Sequence, residues 1–225
     1  MDSGNIGFVL LCAAFVFVMT PGLAMFYGGL VRKKNVVNTM MTSIFIIGVG
    51  IVMWVLFGYS LSFSPSGNAF IGDLRWLGLE GVSLTEGYTD GASIPNMVFS
   101  AFQMMFAVIT PALITGAVAG RMKFKSIFVF TIFWSLIVYY PLAHMVWGQG
   151  GLLGADGIGA LDFAGGDVVH ISSGVSALVL CILLGKRHDY EHSIYRIHNI
   201  PTVVLGASLL MFGWVGFNAG SALAA

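Results

Sequence analysis

Residues 162–185 read DFAGGDVVHISSGVSALVLCILLG, an acidic and glycine-rich segment that leads into a long apolar run containing His170. The hydrocarbon core of a bilayer is ~30 Å thick, and about 20 apolar residues in a helix cross it. An ionisable ring at that depth is costly unless it faces protein or water, and such a residue usually has a function. The segment therefore predicts a membrane helix that carries a functional histidine.

The apolar character extends over the whole chain. Of its 225 residues, 57% are hydrophobic and 9% are charged, whereas about a quarter of the residues in a soluble domain are charged. The mean hydropathy is +0.90. We predict an all-α polytopic membrane protein, with membrane helices at about residues 6–31, 40–63, 94–120, 126–147, 163–185 and 200–225.

The charged residues predict how these helices are oriented. Nine of the ten Lys and Arg residues lie in the loops after the first, third and fifth segments, and Arg75 lies on the other side. The positive-inside rule then places the nine in the cytoplasm and the N-terminus outside. We expect a multi-pass protein of the plasma (inner) membrane.

Two features of the sequence bear on whether the protein binds a metal or is an enzyme. The loop over residues 186–198 holds His188, His192 and His198 at irregular spacing among mixed charges. We interpret it as a solvated loop rather than a metal site. The chain has no zinc-protease or serine-nucleophile motif, so we expect no enzyme.

Helix rise gives approximate heights for the unusual residues. At 1.5 Å per residue, Trp147 and Ser221 lie ~32 Å above the cytoplasmic ends, Phe217 ~26 Å, His170 ~22 Å and Phe106 ~21 Å. A tryptophan face attracts a cation, and a hydroxyl accepts a hydrogen bond from N–H. Phenyl rings below them oppose the passage of charge. This order predicts a filter for a small N–H cation, with a histidine beyond it for a neutral species or a proton.

Each of these residues also has an ordinary explanation. Trp147 is consistent with an interfacial-belt residue, and Phe102 and Phe106 with core or lipid-facing rings. Ser221 could bond to its own helix, and Asp162 could cap the fifth helix. His170 is the residue whose depth alone favours a function.

Asp167 affects the charge that His170 would carry. It lies three residues before His170, so the two share a face of a regular helix. A direct contact would favour the charged imidazole, which suits a pore for a neutral species poorly. The alternative, which we favour, is that Asp167 points elsewhere and stabilises the helix N-terminus.

Several long motifs resemble the ammonium transporter (Amt) branch of the Amt/Rh family. They are PGLAMFYGGLVRKKN (21–35), FQMMFAVITPALITGAVAGR (102–121), HMVWG (144–148), LDFAGGDVVHI (161–171), and HNIP (198–201) through GWVGFNAGS (213–221). The resemblance implies an Amt-type bundle of inverted five-helix repeats with eleven helices. Residues 1–225 would then be a partial ammonium transporter domain that contains the first six helices and lacks the second half.

The resemblance also implies roles for particular residues. Trp147 and Ser221, with Phe106, would form an external site that recruits ammonium. Phe106 and Phe217 would form a stacked gate, and His170 would line the pore as the first of two paired histidines. The second histidine, expected from the tenth helix, is absent from this chain. We therefore expect the chain to be a segment of a longer protein.

Two further residues and the partners follow from the same resemblance. Phe102 would support the outer wall, and Asp162 would support the recruitment site structurally and electrostatically. The partners implied are ammonium, methylammonium as its analogue, the lipid bilayer, further copies in a homotrimer and a cytoplasmic regulatory protein of the PII type. We expect no cofactor, no metal and no nucleic acid.

Three functions are compatible with these residues. The leading one is a transporter that captures ammonium, deprotonates it near the phenyl gate and passes ammonia past His170. The second is an ammonium sensor with a signalling domain beyond residue 225. The third, which we disfavour, is a membrane cytochrome that uses His144 and His170 as haem ligands. For His144 we otherwise expect a place at the membrane interface.

Overall fold

The computed structural model describes residues 1–155, 157–187, 190 and 194–225. These residues form six helices long and apolar enough to cross a membrane, and they contain no β-strand. The all-α polytopic prediction is thereby confirmed. His188 and His192 of the predicted solvated loop lie outside the described residues. The helices are α1 (Ser3–Leu30), α2 (Lys33–Phe63), α3 (Asn96–Val118), α4 (Phe124–Trp147), α5 (Gly166–Leu184) and α6 (Ile200–Ala222).

Among the helix starts that differ from the segments indicated by hydropathy, those of α2 and α5 affect local structure most. Helix α2 begins with a 3-10 turn, Lys33–Asn35, rather than near residue 40. Hydropathy did not indicate this polar first turn, because a helix can extend beyond the apolar part of its sequence. Helix α5 begins later than residue 163, at Gly166, and its first stretch, Gly166–Ile171, is π-helical. Such π segments are rare and frequently occur at functional sites.

Helices α1 and α6 approach each other closely at glycines. A Cβ at Gly206 would lie 2.3 Å from the main-chain nitrogen of Phe26, and one at Gly216 would lie 2.8 Å from the Cys12 carbonyl. No side chain fits at these distances, and small residues permit such close helix approach in lipid. The contact fixes α6, and with it Phe217 and Ser221, against the rest of the bundle.

Burial is distributed unevenly among the helices. Helix α3 has 72% of its most apolar window buried, whereas α5 and α6 have 22% each. Large apolar side chains on α5 and α6 are therefore exposed, among them Leu183 at 76% and Met211 at 72%. The bundle is organised around α3, and α5 and α6 form a largely uncovered apolar side.

One end of the bundle carries the long loops. Residues 64–95 connect α2 to α3, and residues 148–165 connect α4 to α5. The two loops meet where the Leu152 N–H donates to the Ala69 carbonyl at 2.9 Å, and the N-terminus joins them through Asp2 N–H and the Ser93 carbonyl at 2.8 Å. This end, predicted to face outside, surrounds the candidate site.

Candidate functional site

The start of α5 is held by the carboxylate of Asp162. It accepts four main-chain N–H hydrogen bonds at 2.5–2.9 Å, from Gly165, Gly166, Asp167 and Val168. The N–H groups of a first helical turn have no partner within the helix, and an anion is favoured there. Gly165 has a φ of 99°, a left-handed conformation that glycine adopts without strain. Asp162 thus caps the helix by folding back over its first turn.

The main chain of Asp162 also holds Trp147, the last residue of α4. The indole Nε1 of Trp147 donates to the Asp162 carbonyl at 2.9 Å. The indole ring lies edge-on to Phe106, with centroids 6.0 Å apart and planes at 89°. One loop residue therefore positions both the helix that carries His170 and the tryptophan predicted to recruit the substrate.

The predicted recruitment residues share one cavity. Its volume is about 240 Å³. Ser221 donates its hydroxyl hydrogen to the Phe217 carbonyl at 2.8 Å, which leaves oxygen lone pairs able to accept N–H. This is the bond to its own helix that the sequence allowed, and it is compatible with binding. The lining residues are Tyr88, Thr89, Phe99, Gln103, Phe106, Trp147, Asp162, Phe163, Ser221 and Leu223.

Two phenyl rings lie at the inner side of this cavity. The centroids of Phe106 and Phe217 are 4.3 Å apart with an interplanar angle of 35°, and each side chain is 1% exposed. Phe102 is fully buried and contacts Phe106 edge-on at 5.0 Å. Phe102, Phe106 and Phe217 therefore form a buried aromatic cluster beside the cavity.

His170 lies on the far side of Phe217. Their ring centroids are 5.9 Å apart, and the imidazole stacks on the indole of Trp214 at 5.2 Å and 6°. His170 is exposed on the uncovered side of α5 and α6. The rings of Phe106, Phe217 and His170 therefore form a continuous series across α3, α6 and α5, with Trp214 beside the histidine.

Asp167 is not joined to His170. Both residues are described, and the structure gives no ion pair between them. In a regular α-helix, residues three apart share a face. Gly166–Ile171 is π-helical, so that spacing does not align Asp167 with His170. The Asp167 N–H donates to Asp162 at 2.8 Å. The direct contact that the sequence allowed is therefore not formed.

The expectation for His144 is wrong. Its side chain is buried, 1% exposed, instead of lying at the membrane interface. Its ring nitrogens contact the carbonyls of Ser62 (Nδ1, 3.1 Å) and Asn68 (Nε2, 2.8 Å). Both contacts occupy the nitrogens that would bind haem iron, so the structure gives no support to a His144–His170 haem site. Within the described residues, no group of three or more His, Cys, Asp or Glu is placed to hold a metal ion.

Two residues of the site were not predicted from the sequence. Gln103 lines the cavity and is 8% exposed, and Trp214 stacks on His170. A polar amide inside the otherwise apolar FQMMF of α3 is a signal that could have identified Gln103. Trp214 lies three residues before Phe217, a spacing that places both on one helix face.

Fold and site together define a polytopic membrane protein in which an aromatic and hydroxyl-bearing cavity is separated by two phenyl rings from a histidine. The model of the Ammonium Transporter Family matches residues 7–225, and the chain belongs to this family. The resemblance drawn from the motifs is thereby confirmed.

Individual relatives agree with this assignment. The chain is 53% identical to an ammonium transporter of Bacillus subtilis (strain 168), over 99% of this chain and 54% of that protein. Among solved structures, Saccharomyces cerevisiae Mep2 superposes with a TM-score of 0.89 at 39% identity, covering 100% of this chain and 50% of Mep2. A structure described as a sensor Amt protein gives 0.85 at 28% identity, over 99% and 55% of the two chains. The chain spans about half the length of the relatives it matches.

Proposed function

We propose that this chain forms the first half of an ammonium transporter, and that the cavity between Trp147 and Ser221 recruits ammonium. The observation that carries the proposal is the arrangement of the cavity against the Phe106–Phe217 contact, with His170 on the other side. Membership of the family and the similarity to named ammonium transporters support it.

The cavity offers what a small N–H cation requires. The Trp147 and Phe106 rings line the cavity with their centroids 6.0 Å apart, and an aromatic face attracts a cation. The Ser221 oxygen accepts N–H. The Asp162 carboxylate adds negative charge to the wall, although its oxygens are already occupied by main-chain N–H groups. Ammonium can therefore exchange part of its hydration shell for these contacts.

The phenyl contact changes the species that passes. An ion taken from water into an apolar medium without a partner loses much of its solvation free energy, whereas neutral ammonia loses far less. Phe106 and Phe217 are both buried and provide no acceptor. Ammonium therefore releases its proton near these rings, to water on the outer side, and crosses as ammonia. His170 then accepts a hydrogen bond from ammonia or donates one to it, and its neutral ring nitrogen can take up a proton.

The second half of the transporter would pack against the uncovered side of α5 and α6. His170 and Trp214 lie on this apolar side, and a histidine exposed to lipid would be unfavourable. Inverted repeats place the substrate site between two halves. A second half with a partner histidine would close the pore, and its presence is tested by the intact mass of the membrane-extracted polypeptide. A mass near 24.0 kDa would contradict it.

The remaining assignments belong to the same proposal. The transporter is a homotrimer of the plasma (inner) membrane with its N-terminus outside. Its cytoplasmic loops, where nine of the ten basic residues lie, face a regulatory protein of the PII type. Blue-native electrophoresis tests whether the protein is a trimer. Labelling of a Gly4→Cys variant by a membrane-impermeant thiol reagent tests whether the N-terminus lies outside.

Uptake separates transport from sensing. The complete gene product is expressed in cells that lack other ammonium transporters, and radiolabelled methylammonium is supplied. We expect saturable uptake that unlabelled ammonium inhibits. A pure sensor would give none, even if it bound ammonium and were correctly inserted.

A further inference from the structure

Gln103 presents a buried polar atom that the protein leaves unpaired. Its side chain is 8% exposed, and its Oε1 has no hydrogen-bond partner among the described residues. Leaving a buried acceptor unpaired is energetically unfavourable. A glutamine in a transmembrane helix is therefore expected to have a partner that binds transiently.

The position of Gln103 makes the cavity the place for that partner. Phe99, Gln103 and Phe106 lie on one face of α3, at spacings of four and three residues, and all three line the cavity. The Phe99 ring is held by stacking on Tyr88 at 4.7 Å and 5°. The amide is thus placed between two fixed aromatic rings, on the same cavity wall as the phenyl gate.

The other acceptors of the cavity are already partly occupied. The Asp162 carboxylate accepts four main-chain N–H groups, and the Tyr88 hydroxyl accepts the Gln149 N–H at 3.2 Å. Ser221 retains lone pairs, as described above. Gln103 is the lining residue whose acceptor is both buried and unpaired within the described part of the chain.

We propose that Gln103 is a further ammonium-binding residue, whose side-chain carbonyl accepts a second N–H beside the Ser221 oxygen. Two acceptors in addition to aromatic faces favour a cation with at least two N–H groups, such as ammonium or methylammonium, over a tetraalkylammonium ion that has none. This inference rests on the proposed function of the cavity and assigns the residue that selects for N–H donors.

The test compares Gln103→Met with Gln103→Glu in the complete gene product reconstituted into liposomes, with methylammonium as the substrate. Methionine conserves length and volume but lacks the amide oxygen, and glutamate keeps an acceptor oxygen. We expect Gln103→Met to raise the KM about tenfold, the effect of losing one hydrogen bond to a charged group. The maximal rate should change much less, and Gln103→Glu should return the KM towards the wild-type value.

The outcomes distinguish this inference from the proposed function. Wild-type protein without methylammonium uptake would overturn the function of the cavity itself. Wild-type uptake together with an unchanged KM in Gln103→Met would overturn the role of Gln103 alone. An equal rise in KM for the Met and Glu variants would assign Gln103 to packing and also overturn the inference. Size-exclusion chromatography verifies folding, and Gln103→Leu replaces the Met variant if that variant does not fold.

Discussion

Trp147 and Asp162 are joined by a hydrogen bond of 2.9 Å from the indole Nε1 to the main-chain carbonyl. Asp162 simultaneously places its carboxylate over the first turn of α5. The outer rim of the cavity and the start of the helix that bears His170 are therefore coupled through one residue. A change at Asp162 should alter both stability and substrate binding.

Replacing the carboxylate should destabilise the protein. Asp162→Ala leaves the four N–H groups without their acceptor, and we expect a loss of about 1–3 kcal/mol. Thermal unfolding of the detergent-solubilised protein measures it as a lower Tm. Asp162→Asn retains one acceptor oxygen and should fall between the wild type and Asp162→Ala. An unchanged Tm in Asp162→Ala would contradict the capping role.

Two variants at Trp147 separate its hydrogen bond from its aromatic face. Trp147→Leu loses both and should raise the KM for methylammonium about tenfold, since a desolvated cation–π contact contributes about 1–2 kcal/mol. Trp147→Phe keeps a π face and should show a smaller rise. Uptake by proteoliposomes measures both. Equal effects of the two variants would show that the aromatic face is not what binds the cation.

The phenyl contact should exclude hydrated cations. In Phe217→Leu the second ring is lost while most of the volume is kept, so we expect a stability loss of about 1 kcal/mol and a measurable potassium leak. Potassium flux into liposomes is the readout. Phe133→Leu is the matched control, because Phe133 lies in α4 and is 58% exposed. If the potassium flux through Phe217→Leu were no larger than that through Phe133→Leu, a role of Phe217 in excluding cations would be contradicted.

Stability of the outer loop should depend on pH through Asp73. The Ser64 hydroxyl, followed by the Arg75 N–H at 3.0 Å, holds the pKa of Asp73 below its usual value. A group with a depressed folded-state pKa contributes stability above its unfolded pKa of about 3.9 and loses it as the pH falls through the folded value. The stability difference between wild type and Asp73→Asn should therefore persist from pH 7 to about pH 4 and decrease below it.

Removing the hydroxyl provides the control for that prediction. In Ser64→Ala, the largest cause of the depressed Asp73 pKa is absent. The stabilisation should then be smaller, and it should decline closer to the ordinary aspartate pKa. Unfolding curves recorded from pH 7 to pH 3 give both differences. If the stability difference between wild type and Asp73→Asn grew as the pH fell, the depressed pKa of Asp73 would be contradicted.

Much of the fold follows from the sequence, because a hydrophobic run of membrane length has few alternatives to a helix. Helix rise also indicated that Trp147 and Ser221 lie near one height, and both line the cavity. Height along a helix gives no rotation about its axis, so the unpaired oxygen of Gln103 and the Trp214 stack were not predicted. For Asp167 the sequence favoured a direction away from His170 but left a direct contact open, because the π-helical geometry of Gly166–Ile171 is not apparent from the sequence.

Loop conformation limited the remaining predictions. His144 appeared suited to an interface because it is polar and near a helix end, yet loop carbonyls from Ser62 and Asn68 enclose it. The sequence allowed Asp162 to cap α5, but the π-helical start depends on the left-handed Gly165 and on the detailed geometry of that cap. Hydrophobic periodicity indicates neither this geometry nor the loop contacts of His144.

The cavity beside Trp147 is proposed to bind the cation before it crosses the membrane. A structure of the complete gene product at saturating methylammonium tests this most directly. We predict density for one methylammonium in the cavity, against the Trp147 and Phe106 rings, with its nitrogen within hydrogen-bond distance of the Ser221 and Gln103 oxygens. Methylammonium density elsewhere, with this cavity occupied by water alone, would contradict it.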